Sequence, residues 1–325
     1  MPITTNDFPA LTDDLQEIFN EGAKRKISEN MGFKVFEVLD TDRRTFDHLV
    51  LHGVSGIQEV TPGQDLPSIT TEEGDTITWT QRYFGAVANV TKAMRKFDLH
   101  EQIDDVARTL VDDAFDKVDQ SFADYLSQGA SASHVDVYGK TISTVGPDGL
   151  QLFHALHTNP ITGNTYTNII SDGTNDNPKL TREAIVYQRS LGKLMKDPNG
   201  IIRPVNYDLL IVSPGDEDLA ERLIGSEFLP GSANNDKNPL YKKMKIIVWP
   251  RLAAAADGTD TSAYWYLADS TGVKKTLKSK FAERPTLDPP DVVYRSKNWG
   301  FSCDFFYTNG IGYQQYIAQS DATEA

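Results

Sequence analysis

The residues whose types and spacing could do chemistry are two histidines, His154 and His157. On a helix, side chains three positions apart share a face, so two imidazoles at this spacing could bind a transition metal. No third ligand follows at a suitable spacing, and the turn-forming pair Asn159-Pro160 ends any regular element. We therefore favour structural or surface histidines, and a metal-dependent enzyme that uses His154 and His157 is the alternative.

The motifs of nucleophilic catalysis and nucleotide binding are absent from the sequence. It contains no Gly-x-Ser-x-Gly elbow, no phosphate loop and no dinucleotide fingerprint. Cys303 is the single cysteine, and its aromatic surroundings at 301–305 are typical of a strand core rather than of an activated thiol. One cysteine also excludes an intramolecular disulfide and a multi-cysteine zinc site. We therefore expect neither enzymatic activity nor a cofactor.

The composition indicates an acidic globular protein. The 325 residues suffice for two or three domains, and 32 basic against 46 acidic residues give a net charge of −14. Such a surface repels phosphates, so we interpret the aromatic side chains of Trp79, Tyr83 and Phe84 as packing against protein rather than stacking on bases. The first nine residues lack an apolar signal segment, and no apolar run is long enough for a membrane span. We expect a soluble protein in a reducing compartment, without a membrane partner.

The clearest predicted element is a helix over 98–129. Apolar residues recur every three or four positions from Leu99 to Leu126, and Gly129 is a natural stop. The polar face has nine acidic residues against two basic ones, which is half of the net charge. Because these carboxylates do not follow EF-hand spacing, we interpret this face as solvated or facing a partner.

The segments before this helix predict elements without a core of their own. A short apolar stripe that includes Leu15 and Phe19 predicts a helix of one to three turns, and residues 33–38 predict a strand. Residues 57–60 and 76–83 predict the two strands of a long hairpin arm. A two-stranded arm is marginally stable in isolation, so we expect the hairpin and the N-terminal arm to contact a partner.

The second half predicts a compact α/β domain over about 179–285. Its predicted helices and strands alternate: helices at 181–194 and 216–224, strands at 207–212, 245–249 and 264–267. Two more strands, at 292–295 and 299–307, close the chain before a polar tail.

The order of these segments and three short motifs resemble the major capsid proteins of tailed bacteriophages, specifically the major head subunits of Mu-like phages and prophages. LQEIFNEG at 15–22 is similar to the early helix of that family, and LFHALHTN at 152–159 to its Leu-Phe-His-x-x-His-x-Asn segment. YRSKNWG at 294–300, followed by Asp304 and Gly310, is similar to its terminal strand pair.

The resemblance implies an α+β fold, the tailed-phage major capsid fold of the Hong Kong phage type. Its parts would be an N-terminal arm, a peripheral domain with an extended E-loop and a long spine helix, an axial domain, and closing strands with a tail. The implied ranges are 1–35 for the arm, 36–178 for the peripheral domain, 55–95 for the E-loop, 98–129 for the spine helix, 179–285 for the axial domain and 286–325 for the closing strands and tail.

The function that the resemblance implies is self-assembly into pentamers and hexamers of an icosahedral shell that encloses double-stranded DNA. The family has no catalytic residues and no cofactor. The partners would be other copies of the chain, with portal, scaffolding and cement proteins as further candidates. The location would be the virion, after assembly in the bacterial host cytoplasm. An acidic shell would confine DNA without adhering to it.

The residues that we predict at subunit contacts belong to the arm and the E-loop. They are Leu15, Phe19, Lys24 and Arg25 in the arm, and Glu72, Glu73, Trp79, Arg82 and Tyr83 in the loop. An encapsulin-like compartment, which has the same fold but holds an enzyme cargo, is the alternative to a phage shell.

Overall fold

The structure of the chain is a computed structural model. It describes residues 8–49, 59–66, 75–91, 100–158, 163, 165–196, 200–228, 236–289, 291–292 and 298–323.

Helices and strands alternate irregularly along the chain. The helices are α1 (Phe8–Glu29), α2 (Gly32–Val35), α3 (His100–Ser127), α4 (Arg182–Lys193), α5 (Glu217–Ala220) and α6 (Val273–Thr276). The strands are β1 (Glu37–Asp40), β2 (Thr45–Leu49), β3 (Thr76–Thr80), β4 (Arg82–Val90), β5 (Ser133–Val135), β6 (Thr141–Ser143), β7 (His157–Thr158), β8 (Thr165–Tyr166), β9 (Leu209–Val212), β10 (Lys245–Val248), β11 (Trp265–Ala268), β12 (Leu277–Leu287), β13 (Asp291–Val292), β14 (Trp299–Ile311) and β15 (Ile317–Ser320). No helix within the described residues combines the length and the apolar character that a membrane span requires.

The chain folds as two units, each made of separate stretches. Unit 1 comprises Met1–Phe46, Thr80–Phe122 and Ser279–Asn309; unit 2 comprises Asp47–Trp79, Ala123–Lys278 and Gly310–Ala325. Neither the predicted boundary at 178–179 nor the one at 285–286 coincides with a boundary between these units.

In unit 1, α1 is much longer than the one to three turns that the sequence predicts. Gly22 lies inside this helix and faces α3. A Cβ at this position would lie only 2.8 Å from Val111 Cγ1 on α3. The missing side chain lets the two helices approach closely, and packing on α3 extends α1. Leu15 and Phe19 are both buried on the packed face.

The prediction of a strand over 33–38 is wrong in its first half, where the chain forms the helical turn α2 before β1. The reason is aromatic packing. The rings of Phe33 and Phe36 both lie against Phe122, with centroid distances of 5.4 and 4.5 Å. Residues three apart point to opposite faces of a strand but to the same side of a helical turn, so only the turn allows both contacts.

The predicted long helix is confirmed as α3, whereas its predicted cap at Asp98 lies outside the described residues. Ala114, Val118, Phe122 and Leu126 of the predicted stripe are buried. The periodicity of the sequence therefore reports the packed face of this helix correctly.

A five-stranded sheet has most of its residues in unit 1, and β4 is one of its strands. The order is β1-β12-β14-β13, with β4 antiparallel to β14 from Arg82 opposite Tyr307 to Val90 opposite Trp299.

The predicted hairpin between 57–60 and 76–83 differs from the observed pairing. β3 pairs with β2 instead, and the described part of the first segment contains no strand. The second segment is divided at Gln81, whose N–H donates to Arg44 O at 2.8 Å and whose Nε2 donates to Lys280 O at 3.1 Å. These two hydrogen bonds end β3, and the chain continues as β4 with a different partner.

In unit 2, a four-stranded sheet has the order β10-β9-β11-β15. β9 and β10 are parallel, whereas β11 is antiparallel to both β9 and β15. All residues of β9, β11 and β15 are buried. This confirms the predicted strands near 207–212, 245–249 and 264–267.

The predicted helix at 181–194 is confirmed as α4, and Thr181 Oγ1 accepts a hydrogen bond from the N–H of Ala184 as its N-cap. The predicted helix at 216–224 is only partly regular. It consists of a 3₁₀ turn (Pro214–Asp216), α5 and a π-helical turn (Glu221–Gly225).

The sequence predicts a polar tail after the strand at 299–307, and this prediction is wrong at Ile317–Ser320. These residues form β15, which completes the sheet of unit 2. Ser320 Oγ donates to Pro178 O at 2.6 Å, and Gln319 N–H donates to Asn168 O at 3.0 Å. The sequence Ile-Ala-Gln-Ser has no apolar alternation, so the tertiary hydrogen bonds that stabilise this strand cannot be inferred from it.

Candidate functional site

The two histidines of the sequence motif do not lie on a helix. His157 begins β7, its side chain is buried, and both ring nitrogens have hydrogen-bond partners. Nδ1 lies 2.6 Å from Asp148 Oδ2, and Nε2 lies 3.2 Å from Asn168 Oδ1. His154 Nδ1 accepts from the N–H of Leu156. Within the described residues, no three His, Cys, Asp or Glu side chains form a group that could hold a metal ion.

His157 belongs instead to a buried polar cluster in unit 2 that we define as Asp148, His157, Asn168 and Gln314. Gln314 Nε2 donates to Asp148 Oδ1 at 2.9 Å, and Asn168 Nδ2 donates to Leu152 O at 2.6 Å. Burial acts to raise the pKa of Asp148, but the hydrogen bonds from His157 and Gln314 outweigh it and lower this pKa below its usual range. Such a satisfied network fixes loops to one another, which is a structural role.

The four arm residues that we predict at subunit contacts have different surroundings. Leu15 and Phe19 are buried within the chain, so neighbouring copies cannot reach their side chains in this conformation. Arg25 Nη2 donates to Asp112 Oδ1 on α3 at 2.7 Å. Lys24 is exposed.

The acidic face of α3 is less solvated than the sequence suggests. Lys26 Nζ donates to Asp116 Oδ1 at 3.0 Å, which adds a second ion pair between α1 and α3. Asp119 is buried and accepts from the N–H of Gly32 at 2.7 Å. Asp124, also buried, accepts from the N–H of Ala256 at 2.9 Å. Several of these carboxylates therefore cap or pair within the chain.

Of the five loop residues, Glu72 and Glu73 lie outside the described residues. Trp79 is buried in unit 2 and stacks on His48 with a centroid distance of 5.0 Å. A Cβ at Gly310 would lie 2.0 Å from Trp79 Cε2, so the indole needs this glycine beside it. Trp79 therefore packs inside the chain.

Arg82 and Tyr83 lie on β4, whose outer face is open. The Arg82 guanidinium lies 4.9 Å from the centroid of the Phe84 ring. Tyr83 is 62% exposed, its hydroxyl donates to Asp304 Oδ2 at 3.0 Å, and its ring packs 4.5 Å from Phe306. The hydrogen bond to Asp304 and the charge of this carboxylate raise the pKa of Tyr83.

Val87 extends this open face and was not among the predicted contact residues. It is 61% exposed and follows Tyr83 by four positions on the same face of β4. Within the described residues β4 pairs with β14 alone, so its other edge presents backbone N–H and C=O groups. Beyond Tyr83 the sequence continues as Phe-Gly-Ala-Val-Ala-Asn-Val, with apolar residues on both faces, so no alternation in the sequence marks this face.

A family model described as phage capsid protein matches residues 73–313, which is more than half of the chain. The chain belongs to the phage capsid protein family. As a capsid protein it has a structural and not an enzymatic role, which agrees with the intrachain partners of His157. The Mu-like subfamily stays a prediction, and no curated protein sequence matches the chain.

A solved capsid structure has the same fold as this capsid protein. The capsid protein of the cyanophage P-SCSP1u is 10% identical with a TM-score of 0.51, over 88% of this chain and 86% of that chain. At this identity the likeness shows the fold alone, and it confirms the predicted α+β capsid fold.

Two further structures are similar over most of their length. The capsid protein of Myoviridae phage XM1 is 10% identical with a TM-score of 0.49, over 89% of this chain and 91% of that chain. The virus-like particle from Pyrococcus furiosus is 11% identical with a TM-score of 0.49, over 95% and 98%. Both scores lie below 0.5, so neither likeness decides between a phage shell and another protein shell.

Proposed function

We propose that this phage capsid protein is the major head subunit that self-assembles into pentamers and hexamers of an icosahedral shell. The family match over residues 73–313 is the observation that supports this function. The shell would enclose double-stranded DNA in the virion and would assemble in the bacterial host cytoplasm. Portal, scaffolding and cement proteins are candidate additional partners.

The outer face of β4 is the subunit contact that we propose in unit 1. Tyr83 and Val87 expose apolar surface on this face. Arg82 points to the opposite face of the strand, with its guanidinium against the Phe84 ring, and it stays in the proposed set of contacts. One edge of β4 pairs with no other strand in the described part of the chain, so a neighbouring copy could add a strand to it. Exposed Lys24 and the loop residues Glu72 and Glu73 stay in the proposed set of contacts.

The buried members of the predicted set have a supporting role in this proposal. Leu15 and Phe19 are buried side chains of α1, and Arg25 adds an ion pair between α1 and α3. Trp79 stabilises the end of β3 next to β4. Substitutions at these residues would therefore change assembly through the fold of the subunit.

The net charge of −14 supports a container for DNA rather than a DNA-binding protein. Affinity for nucleic acid comes mainly from cations that neutralise phosphates, and an acidic chain has few to offer. We propose that the enclosed DNA contacts the shell weakly and without sequence preference.

The test is electron microscopy with light scattering on the purified full chain, comparing wild type with Val87→Lys. We expect wild type to form capsomers or shells and Val87→Lys to remain a folded monomer, because a lysine would place a charge in the contact. Leu39→Lys is the matched control, since Leu39 is an exposed apolar residue on β1 of the same unit.

The outcomes separate the parts of this proposal. A wild-type chain that stays monomeric over a range of salt and crowding would overturn self-assembly. Normal shells from Val87→Lys would remove β4 from the contacts. Purified shells from the host that hold a protein cargo, and no nuclease-protected DNA, would favour the encapsulin-like alternative.

A further inference from the structure

A second exposed apolar surface lies in unit 2, at the end of α4. We define the basic loop as the described residues 193–196 and 200–203. Leu194 is 63% exposed and Ile202 is 53% exposed. Lys193 and Lys196 are exposed beside them. Together with Arg203 these lysines outnumber Asp197, the one acidic residue of the sequence from 193 to 203.

Backbone hydrogen bonds join the two described stretches of the basic loop to each other. Lys196 and Ile202 form a β-bridge, and the N–H of Arg203 donates to Met195 O at 2.8 Å. The N–H of Val205 donates to Gly192 O at 2.9 Å and closes the loop onto the end of α4. A preformed loop loses little conformational entropy when it binds a partner.

A surface of opposite charge lies on the helical turns after β9. We define the acidic turn as residues 216–221, which include the exposed Glu217 and Glu221, four positions apart. Neither side chain has an ion-pair partner among the described residues, and the same holds for Lys193 and Lys196. Phe228 is also exposed a short distance along the chain.

The acidic turn rests on the same core as the basic loop. Ala184 and Ile185 of α4 pack in one hydrophobic cluster with Ala220 and Ile224 of the turns after β9. Asn238 Nδ2 donates to Leu223 O at 2.8 Å and fixes the segment that leads to Phe228. Both surfaces are therefore rigidly attached to one sheet.

The two surfaces lie at different ends of β9. The basic loop ends where Val205 and Tyr207 contact Gly192, just before the first residue of this strand. The acidic turn begins just after its last residue. At about 3.3 Å per residue, the strand separates its two ends by roughly 13 Å. Among the described residues no ion pair joins the two surfaces within one chain.

We propose that the basic loop of one copy binds the acidic turn of a neighbouring copy. Lys193 and Lys196 would pair with Glu217 and Glu221, while Leu194 and Ile202 would be covered by the apolar residues beside the acidic turn. Because the contact joins two different surfaces, it repeats from copy to copy and can close rings. The inference rests on the proposed function, since it names one contact by which the subunits self-assemble.

The experiment is a charge exchange measured by light scattering and electron microscopy of the purified full chain. Lys193→Glu/Lys196→Glu should reduce the rate and yield of assembly at least tenfold, and so should Glu217→Lys/Glu221→Lys. The variant with all four substitutions should recover assembly, because the two surfaces are again complementary. Lys140→Glu/Lys179→Glu is the matched control: both lysines are exposed in unit 2, and the net charge changes equally.

Mixing the two double variants gives a sharper test of the ring geometry. In one variant both surfaces are negative, and in the other both are positive. In a ring in which the two variants alternate, every contact joins a negative surface to a positive one. Such alternation is possible only in rings with an even number of members. We expect hexamer-sized rings from the mixture and few five-membered rings or closed icosahedral shells.

The failures of the two proposals are distinguishable. If wild type does not assemble in any condition, the proposed function fails and this contact with it. If wild type and Lys193→Glu/Lys196→Glu assemble equally well, the proposed function stands and this contact is wrong. If both double variants fail and the fourfold variant does not recover, the two surfaces do not pair.

Discussion

The sheet of unit 2 and strand β4 in unit 1 use apolar residues in opposite ways. In the unit 2 sheet, β9, β11 and β15 are buried throughout, so the single chain covers both faces. Along β4, five residues are exposed, including Tyr83 and Val87, and one edge is unpaired within the described residues. The first region is covered by the chain itself, whereas the second is the surface that we propose a neighbouring copy covers.

The sequences of the two regions already contain this difference. β9 is Leu-Leu-Ile-Val, a continuous apolar run that is typical of a strand covered on both faces. β4 is Arg-Tyr-Phe-Gly-Ala-Val-Ala-Asn-Val, in which small residues and one basic residue interrupt the apolar positions. A strand of this kind tolerates solvent in the free subunit and still offers surface to a neighbour.

The largest effect on stability is expected at the covered sheet. Trp265→Ala in β11 should lower the free energy of unfolding by about 3–5 kcal/mol, because it leaves a cavity where the buried ring was. It also removes the hydrogen bond from Trp265 Nε1 to Pro178 O, 3.0 Å long. Urea denaturation followed by circular dichroism measures the loss.

Val87→Lys on β4 is the variant of the open region to compare with Trp265→Ala by the same urea denaturation. The side chain is exposed, so we expect a change within about 0.5 kcal/mol. A loss below about 1 kcal/mol for Trp265→Ala, or a large loss for Val87→Lys, would contradict the distinction between a covered and an open region.

An intermediate effect on stability is expected at the polar cluster of Asp148, His157, Asn168 and Gln314. Asp148→Ala removes the partner of both His157 and Gln314, and leaving buried donors unsatisfied costs about 1–3 kcal/mol. Thermal unfolding measures this loss at neutral pH, with Asp257→Ala on an exposed turn of unit 2 as the control.

The pH dependence gives a second measurement on the same variant. The pKa of Asp148 is lower in the folded chain than in the unfolded chain, so the unfolded chain binds its proton first. The stabilisation from Asp148 is therefore complete above the unfolded pKa of about 4, and it is lost as the pH falls through the folded value. The difference in stability between wild type and Asp148→Ala should shrink over that acidic range, and a constant difference would contradict the charged role of Asp148.

Regular periodicity is what made parts of this fold predictable. The stripe of α3 and the apolar run of β9 depend on neighbours in sequence, and both elements are found where the sequence predicts them. The length of α1 depends on Val111, far along the chain, which takes the space beside Gly22. β15 depends on hydrogen bonds to residues near 168 and 178, which no local pattern reveals.

The candidate site was predictable only in part for the same reason. Tyr83 was found because aromatic and β-branched residues alternate up to it, and Val87 was missed because this alternation ends at the Phe-Gly-Ala stretch that follows Tyr83. Leu15, Phe19 and Trp79 have the same residue types as contact residues at interfaces. Their burial depends on α3, His48 and Gly310, so composition alone could not separate a core residue from a contact residue.

The smallest effect is expected at the hydroxyl of Tyr83 on β4. Tyr83→Phe removes the hydrogen bond to Asp304 Oδ2 but keeps the ring on Phe306. Because the group is exposed, we expect no resolvable change in the denaturation midpoint, and assembly should persist if the ring makes the contact. Tyr83→Ser removes the ring as well and should weaken assembly.

The titration of the phenol decides whether the hydrogen bond exists. The folded chain raises the pKa of Tyr83, so any stabilisation from the neutral phenol is present below pH 10 and is lost only as the pH rises through the raised value. The ultraviolet difference titration between wild type and Tyr83→Phe should show one tyrosine that ionises above pH 10. Ionisation at or below pH 10 would mean that Asp304 does not hold the hydroxyl, and β4 would then be open at this residue on every side except the ring contact with Phe306.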